Sequence, residues 1–245
     1  MKAKDIMPFA KMGYVTVRSN LNKNKYKKLK ARDEKEAEKF LIHKLKIWST
    51  EILNIAKITV KVYGEENIID ETCLFASNHQ SNFDIPALCI AINTSFGFVA
   101  KKELQKLPIL PYWMKEIGSV FLDRENPREG LKSIIKASEY LKAGHSMAIF
   151  PEGTRSNGSE IGSFKKGSLK LALKAEVPII PISIEGSYKV FEGNNKVLNR
   201  TPEEIKIYIG KAIYPKEMEK EDKNRIHEII EDVVRENKEK FLDGK

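Results

Sequence analysis

Cysteine is almost missing from this chain of 245 residues, and the two that occur, Cys73 and Cys89, stand among apolar neighbours. No metal-ligand spacing involves them. A disulfide framework and a metal site are therefore not expected, which leaves two buried thiols in a reducing compartment. Long apolar runs are missing as well. None reaches the roughly 18 residues of a membrane span, and the first residues lack the short apolar core of a secretory signal. A Gly-x-Ser-x-Gly strand-to-helix elbow is also absent, which argues against a nucleophilic serine of that type. Gly162-Ser163-Phe164-Lys165-Lys166-Gly167-Ser168 approaches a nucleotide-binding P-loop but has Ser168 where that motif needs lysine.

What the chain does contain is 41% hydrophobic and 31% charged residues, enough to bury one large α/β core with an appendage. The net charge of +9 is unevenly spread. Residues 1–60 hold 15 Lys and Arg against 6 Asp and Glu, whereas residues 61–245 hold 28 of each sign. A basic N-terminal module on a neutral domain suggests a localised anionic surface. Nucleic acid is not expected, because Tyr26 is the only aromatic residue in the basic stretch 22–30, a poor stacking platform.

Leu41, Leu45, Trp48, Ile52 and Ile55 recur at spacings of four and three, which predicts one apolar face of a helix over 33–57. Residues 4–18 carry a second apolar set, Ile6, Met7, Phe9, Met12, Tyr14 and Val15, and 22–30 reads as a basic connector. From residue 58 the pattern changes. Strands are expected at 58–63, 73–77, 96–100, 120–122, 146–150, 179–184 and 205–209. Between them helices are expected up to residue 92, over 103–117 with Pro108 and Pro111 interrupting, and over 127–143 and 164–176. A terminal helix with Ile226, Ile230 and Val233 on one face closes the chain. The alternation predicts an α/β fold with a mostly parallel central sheet flanked by helices, preceded by an N-terminal amphipathic helical module. The expected division is 1–57 and 58–245. In such sheets chemistry gathers where strands end and helices begin.

Two short islands stand at such ends. The first, Asn78-His79-Gln80-Ser81-Asn82-Phe83-Asp84, offers a histidine and a carboxylate five positions apart. On one regular helix they would point about 140° apart, so they meet only if the chain turns between them. Asp84 would then fix one ring nitrogen and leave the other to take a proton. This is the orienting half of a Ser-His-Asp triad without the serine, which places the hydroxyl to be activated on the substrate. The same residues also fit plainer roles, with Asp84 or Asn82 capping a helix and His79 a structural strand-end residue. The second island is Phe150-Pro151-Glu152-Gly153-Thr154-Arg155-Ser156. Gly153 permits a backbone in which N–H groups converge, and Arg155 offers a fork for phosphate; an ordinary strand-to-loop turn fits as well. Lys101 with Lys102 ends another expected strand, and Arg124 ends a fourth, either joining a cationic rim or pairing with Asp123 or a nearby glutamate.

Taken in order, these segments resemble the glycerolipid acyltransferase family, in particular its bacterial 1-acyl-sn-glycerol-3-phosphate acyltransferases. Four blocks carry the likeness: the His-x4-Asp block at His79–Asp84, Gly118-Ser119-Val120-Phe121-Leu122-Asp123-Arg124, Phe150–Ser156, and Val177-Pro178-Ile179-Ile180-Pro181-Ile182. The likeness covers about residues 60–215 and leaves the first 57 residues unmatched. It implies acyl transfer from a thioester, acyl carrier protein or coenzyme A, to a lysophosphatidate-like acceptor. His79 would be the general base and Asp84 its orienting partner. Glu152, Gly153, Thr154 and Arg155 would help bind acceptor phosphate, with Arg124 and Lys101 contributing, and Pro178 and Pro181 would shape the site wall. No cofactor and no metal are implied. Since acceptor and product live in a bilayer, the N-terminal helices would hold the enzyme on an anionic membrane surface, as a peripheral, monotopic protein of the cytoplasmic face. The alternative for the Leu41–Ile55 stripe is simple packing on the catalytic domain. Glycerol-3-phosphate and other lysolipids remain alternative acceptors, and a non-catalytic basic membrane-surface protein is the rival from another class.

Overall fold

The computed structural model describes residues 3–156, 158–191, 198 and 201–242. Among the described residues seven strands form one sheet: β1 (Ile58–Tyr63), β2 (Leu74–Ser77), β3 (Gly97–Lys101), β4 (Val120–Leu122), β5 (Met147–Ile149), β6 (Ile179–Glu185) and β7 (Glu203–Ile209). Their order is β1-β7-β6-β2-β5-β3-β4. All neighbours are parallel except β6 and β7. The helices are α1 (Ala3–Ser19), α2 (Lys23–Arg32), α3 (Glu34–Ile55), α4 (Asp84–Ala91), α5 (Leu110–Glu116), α6 (Pro127–Lys142), α7 (Lys170–Ala175), α8 (Tyr188–Phe191), α9 (Lys220–Asn224) and α10 (Ile226–Leu242).

The central strands are continuous apolar runs because helices cover both faces. Leu74, Phe75 and Ala76 of β2 are buried, as are Ile179, Ile180, Ile182 and Ile184 of β6. Successive side chains then serve opposite layers. Phe75 joins Ile52, Leu53, Ala87, Leu88 and Ile180 in one core, whereas Leu74 and Ala76 join Ala137, Leu141, Leu171, Ile179 and Ile230 in the other. Cys73 and Cys89 are buried free thiols, and burial pushes both up to about 12.

Several segments depart from the sequence expectation for local reasons. The supposed connector 22–30 is helical and forms most of α2. Its lysines repel one another, but Tyr26 docks: it is buried, lies against Trp113, and its hydroxyl donates to Glu116 Oε2 at 3.1 Å. Lys30 completes that anchor with an ion pair to Glu116 at 2.7 Å. Burial, and then Glu116, raise the Tyr26 phenol above its ordinary range. The helix expected over 164–176 is shortened to α7, because the stretch before it is tied to the second island, with Lys165 N donating to Pro151 O at 3.0 Å. In α10 the buried face is Ile226, Ile230 and Val234, each four residues on from the last, rather than Val233.

The N-terminal helices use their apolar residues in two ways. The α3 stripe is taken up by packing: Leu41 and Ile52 are buried, and Leu45, Trp48 and Ile55 lie partly buried against the main core. It is therefore not an open membrane face. Helix α1 turns Phe9, Met12 and Val15 into the main core, with Phe9 edge-on to Phe191, and is held to α3 by Trp48 Nε1 donating to Thr16 Oγ1 at 3.1 Å and by Arg18 pairing with Glu51 at 2.5 Å. Its other side is apolar and open. Ile6, Met7, Tyr14 and Val17 fall within an arc of about 100° at 3.6 residues per turn. They are 48%, 58%, 65% and 58% exposed, and Leu21, just beyond the helix, is 81% exposed. No helix among the described residues is long and apolar enough to cross a membrane.

Candidate active site

Because β6, β2, β5, β3 and β4 are neighbours and all parallel, their carboxyl ends lie along one edge of the sheet. That edge carries Glu185, His79, Glu152, Lys101 and Arg124 at or just beyond the strand ends. The four expected strand ends are thus brought side by side.

The chain does turn between His79 and Asp84. Strand β2 stops at Ser77, residues 78–83 are irregular, and α4 starts at Asp84. His79 Nδ1 lies 2.8 Å from Asp84 Oδ2. The same oxygen accepts from the backbone N–H of Gln80 at 2.7 Å and of Ser81 at 2.9 Å, and Oδ1 accepts from Ser187 Oγ at 2.5 Å. Asp84 is fully buried, yet both oxygens are hydrogen-bonded. Its carboxylate binds the loop before α4, so the plainer role of capping that helix is not the one it fills. With other donors already on Oδ2, the Nδ1 proton stays on the ring and points at Asp84, which leaves Nε2 as the acceptor nitrogen. The imidazole stacks on Phe150 at 3.9 Å between centroids and 16° between planes, and its side chain is 17% exposed. A ring clamped by a carboxylate at one nitrogen and an aromatic face below has little freedom to turn.

Glu152 joins the two islands. Its Oε1 accepts from His79 N at 2.6 Å and its Oε2 from Gly162 N at 2.9 Å. It is 3% exposed. Burial raises its carboxyl above the ordinary value, while the two N–H donors pull it back. A buried carboxylate with both oxygens engaged is poorly suited to touching an anionic phosphate, so its place is below the site rather than in the phosphate seat expected for it. Removing it orphans two backbone donors, each worth about 1–3 kcal/mol when buried. These two are only partly buried, and Glu152→Ala is expected to lose about 2 kcal/mol in a denaturant titration. A wild-type midpoint would contradict this clamp.

Around the second island, Gly153 has φ +70°, a conformation that favours glycine. Its carbonyl accepts from Arg124 Nη1. Arg124 reaches this loop because Asp123, one of its suggested partners, is taken by Lys102 at 2.8 Å. Lys101 is mostly exposed and pairs with Glu103 at 3.6 Å. Thr154 is exposed and Arg155 half-buried in the same loop, while Ser156 N donates to His79 O at 2.9 Å.

The two prolines stand elsewhere. Pro178 O accepts from Leu74 N at 2.9 Å, at the start of β2, whereas His79 lies beyond the end of that strand. At about 3.3 Å per residue the separation is roughly 15 Å, so Pro178 forms no wall with His79. Pro181 is buried within β6 opposite Ala76. Its missing N–H falls just before the β6–β7 pairing begins at Ile182, and its carbonyl accepts from Gly210 N at 2.8 Å. It shapes the sheet rather than the site.

Groups not foreseen complete the surroundings. Ser187 is buried against Asp84. Gln80 Nε2 donates to Glu185 Oε2 at 3.0 Å, and Glu185 pairs with Lys238 of α10 at 3.3 Å. No periodicity or motif marks Ser187 or Lys238, since each meets the site only through the sheet's long-range order.

Comparisons with known proteins agree with this picture. The family model described as Acyltransferase matches residues 59–185, a span that contains both islands. The chain is 35% identical over 156 residues to the chloroplastic 1-acyl-sn-glycerol-3-phosphate acyltransferase BAT2 of Brassica napus, covering 62% of this chain and 44% of that one. It therefore spans less than half the length of that relative. A probable 1-acyl-sn-glycerol-3-phosphate acyltransferase of Mycoplasma genitalium is 34% identical over 192 residues, covering 74% of this chain and 71% of that one. Among solved structures, the 1-acyl-sn-glycerophosphate (LPA) acyltransferase PlsC from Thermotoga maritima superposes with a TM-score of 0.79 at 28% identity, covering 98% of this chain and 97% of that chain.

Proposed function

The chain belongs to the acyltransferase family, and from that premise we propose that it transfers a fatty acyl group from a thioester to the sn-2 hydroxyl of 1-acylglycerol-3-phosphate, giving phosphatidic acid. The observation that carries the chemistry is the His79–Asp84 pair, 2.8 Å apart, with the carboxylate buried and held by further donors. His79 Nε2 takes the proton of the acceptor hydroxyl as that oxygen attacks the thioester carbonyl. The tetrahedral intermediate collapses, the C–S bond breaks, and the imidazolium returns the proton to the leaving thiolate. No enzyme-bound acyl group is needed. Docking the acceptor phosphate on the rim of Arg124, Arg155 and Lys101, with Gly153 and Thr154 in the loop beneath, would hold its hydroxyl at His79 and make the encounter effectively intramolecular. An acceptor panel tests the substrate: lysophosphatidate is expected to be used in preference to glycerol-3-phosphate and to lysolipids with esterified phosphate. A preference for either of the others would overturn the assignment. The same panel run with acyl carrier protein and coenzyme A thioesters identifies the donor.

Ser187 would act through Asp84 as a positioning residue. Its hydroxyl donates to Oδ1, which fixes the carboxylate plane and hence the imidazole. Ser187→Ala is expected to lower kcat by about tenfold, the scale of one hydrogen bond, with acceptor KM little changed. Ser187→Thr, which keeps the donor, should recover most of the loss. A variant that changed only KM would rule out this role.

We further propose that residues 1–57 are a membrane-association module for the acyltransferase domain 58–245, and that the protein lies on the cytoplasmic face of the membrane. The open apolar face of α1 supports this reading. A helix that is apolar on both sides and packs on only one leaves the other for a second apolar medium, and the basic surface of α2 suits anionic headgroups.

A further inference from the structure

We infer that Lys165 belongs to the acceptor-phosphate seat and, together with Arg124, selects a phosphomonoester. This rests on the acceptor proposed above. Lys165 falls in a segment that no part of the mechanism has used, twelve positions beyond Gly153 in the chain. Its side chain lies over the bare face of Gly153. A Cβ built there would stand 2.8 Å from Lys165 Nζ, 3.0 Å from Cε and 3.2 Å from Cδ. The absence of a side chain at Gly153 therefore does two things: it permits the φ of +70°, and it makes room for the lysine stem.

The lysine backbone is fixed independently. Lys165 N donates to Pro151 O at 3.0 Å, and Lys165 O accepts from Gly167 N at 2.7 Å and Ser168 Oγ at 2.7 Å. The second island and the 162–168 loop thus hold the ammonium beside Gly153, while Arg124 reaches the carbonyl of the same residue. Charge distinguishes these two cations from the rest of the rim. Lys101 pairs with Glu103 at 3.6 Å, and Lys102 pairs with Asp123 at 2.8 Å and Glu125 at 3.8 Å. Among the described residues no carboxylate comes within ion-pair distance of Lys165 or Arg124; Glu103, the partner of Lys101, acts on Arg124 only from farther away. Two cations flanking one glycine, neither held in a close ion pair, match a group carrying about −1.5 to −2 charges at neutral pH, as a phosphomonoester does. A phosphodiester, with one charge, gains less. The guanidinium supplies a planar fork and the ammonium a movable point charge, so the two are complementary rather than redundant.

The test is acyl transfer by the full chain to three monoacyl acceptors: lysophosphatidate, a lysolipid with esterified phosphate, and monoacylglycerol. Lys165→Met keeps the stem over Gly153 but removes the charge, and Lys165→Arg keeps the charge. Lys165→Met is expected to raise the KM for lysophosphatidate by about 10- to 100-fold. Its donor KM and thermal midpoint should stay at the wild-type values, and its preference for the monoester over the diester should fall by a similar factor. Lys165→Arg should retain most of that preference. An unchanged KM and preference in Lys165→Met, with the wild type still selecting lysophosphatidate, would overturn the role of Lys165 alone. A wild type that does not prefer lysophosphatidate would overturn both this role and the acceptor assignment.

Discussion

His79→Ala is expected to lower acyl transfer by at least about 10²-fold, and up to about 10⁴-fold, the usual contribution of a positioned general base. The loss should appear in kcat rather than in acceptor KM, because in the proposed mechanism the imidazole serves proton transfer and the phosphate is held by other side chains. Folding should be little affected. The ring is 17% exposed and stacks on Phe150, and the structural bonds of residue 79 run through its backbone, N to Glu152 and O from Ser156. Both survive in alanine. The contrast with Glu152→Ala follows from the same map. One substitution removes chemistry and leaves the frame, while the other removes a clamp and costs stability. A His79→Ala enzyme with near-wild-type turnover and an intact fold would exclude His79 as the base.

The second large effect concerns the outer face of α1. Replacing Met7, Tyr14 and Val17 together by aspartate is expected to reduce sedimentation with anionic vesicles by about 10³-fold. Burying a large apolar side chain fully is worth about 1.5–3 kcal/mol, and three partly inserted residues give about 4 kcal/mol, which is about three decades of partition. The substitutions should leave the melting temperature near wild type, since all three residues are more than half exposed. Turnover of a short-chain acceptor dissolved as monomers should persist while turnover of vesicle-borne acceptor collapses. Salt gives an independent reading: lysine attraction to headgroups is screened within about 8–10 Å at physiological ionic strength, whereas apolar insertion is not. Undiminished vesicle binding by the triple variant would refute the α1 surface.

The fold was readable because its signals are local. Central strands such as 74–77 and 179–185 are bounded apolar runs, and the spacing from Leu41 to Ile55 is a helical face. What that face packs on is not local. The α3 stripe and the α1 stripe have similar composition, and only the docking of α3 against α4 and the sheet decides which one remains open. Likewise 22–30 carries the composition of a solvated linker, and its helicity depends on Tyr26 finding Glu116, 90 positions away. In the site, His79 and Asp84 were legible from their spacing and the chain turn it requires. The inward aim of Glu152 was not, because a carboxylate beside a glycine-rich loop looks the same in sequence whether it faces a ligand or two backbone donors. Pro178 stands apart from the histidine for a related reason. Its block follows the others in order, but β6 is parallel to β2, so the start of that block lies at the sheet edge opposite the histidine.

In the proposed mechanism the hydroxyl activated by His79 belongs to the acceptor. The most direct measurement follows thiol release and lipid product together, with an acyl thioester in the presence and absence of lysophosphatidate. One thiol is expected for each phosphatidic acid formed, with negligible release without the acceptor. Rapid acceptor-independent release of free fatty acid, at the same rate with and without lysophosphatidate, would contradict this mechanism and identify water as the nucleophile.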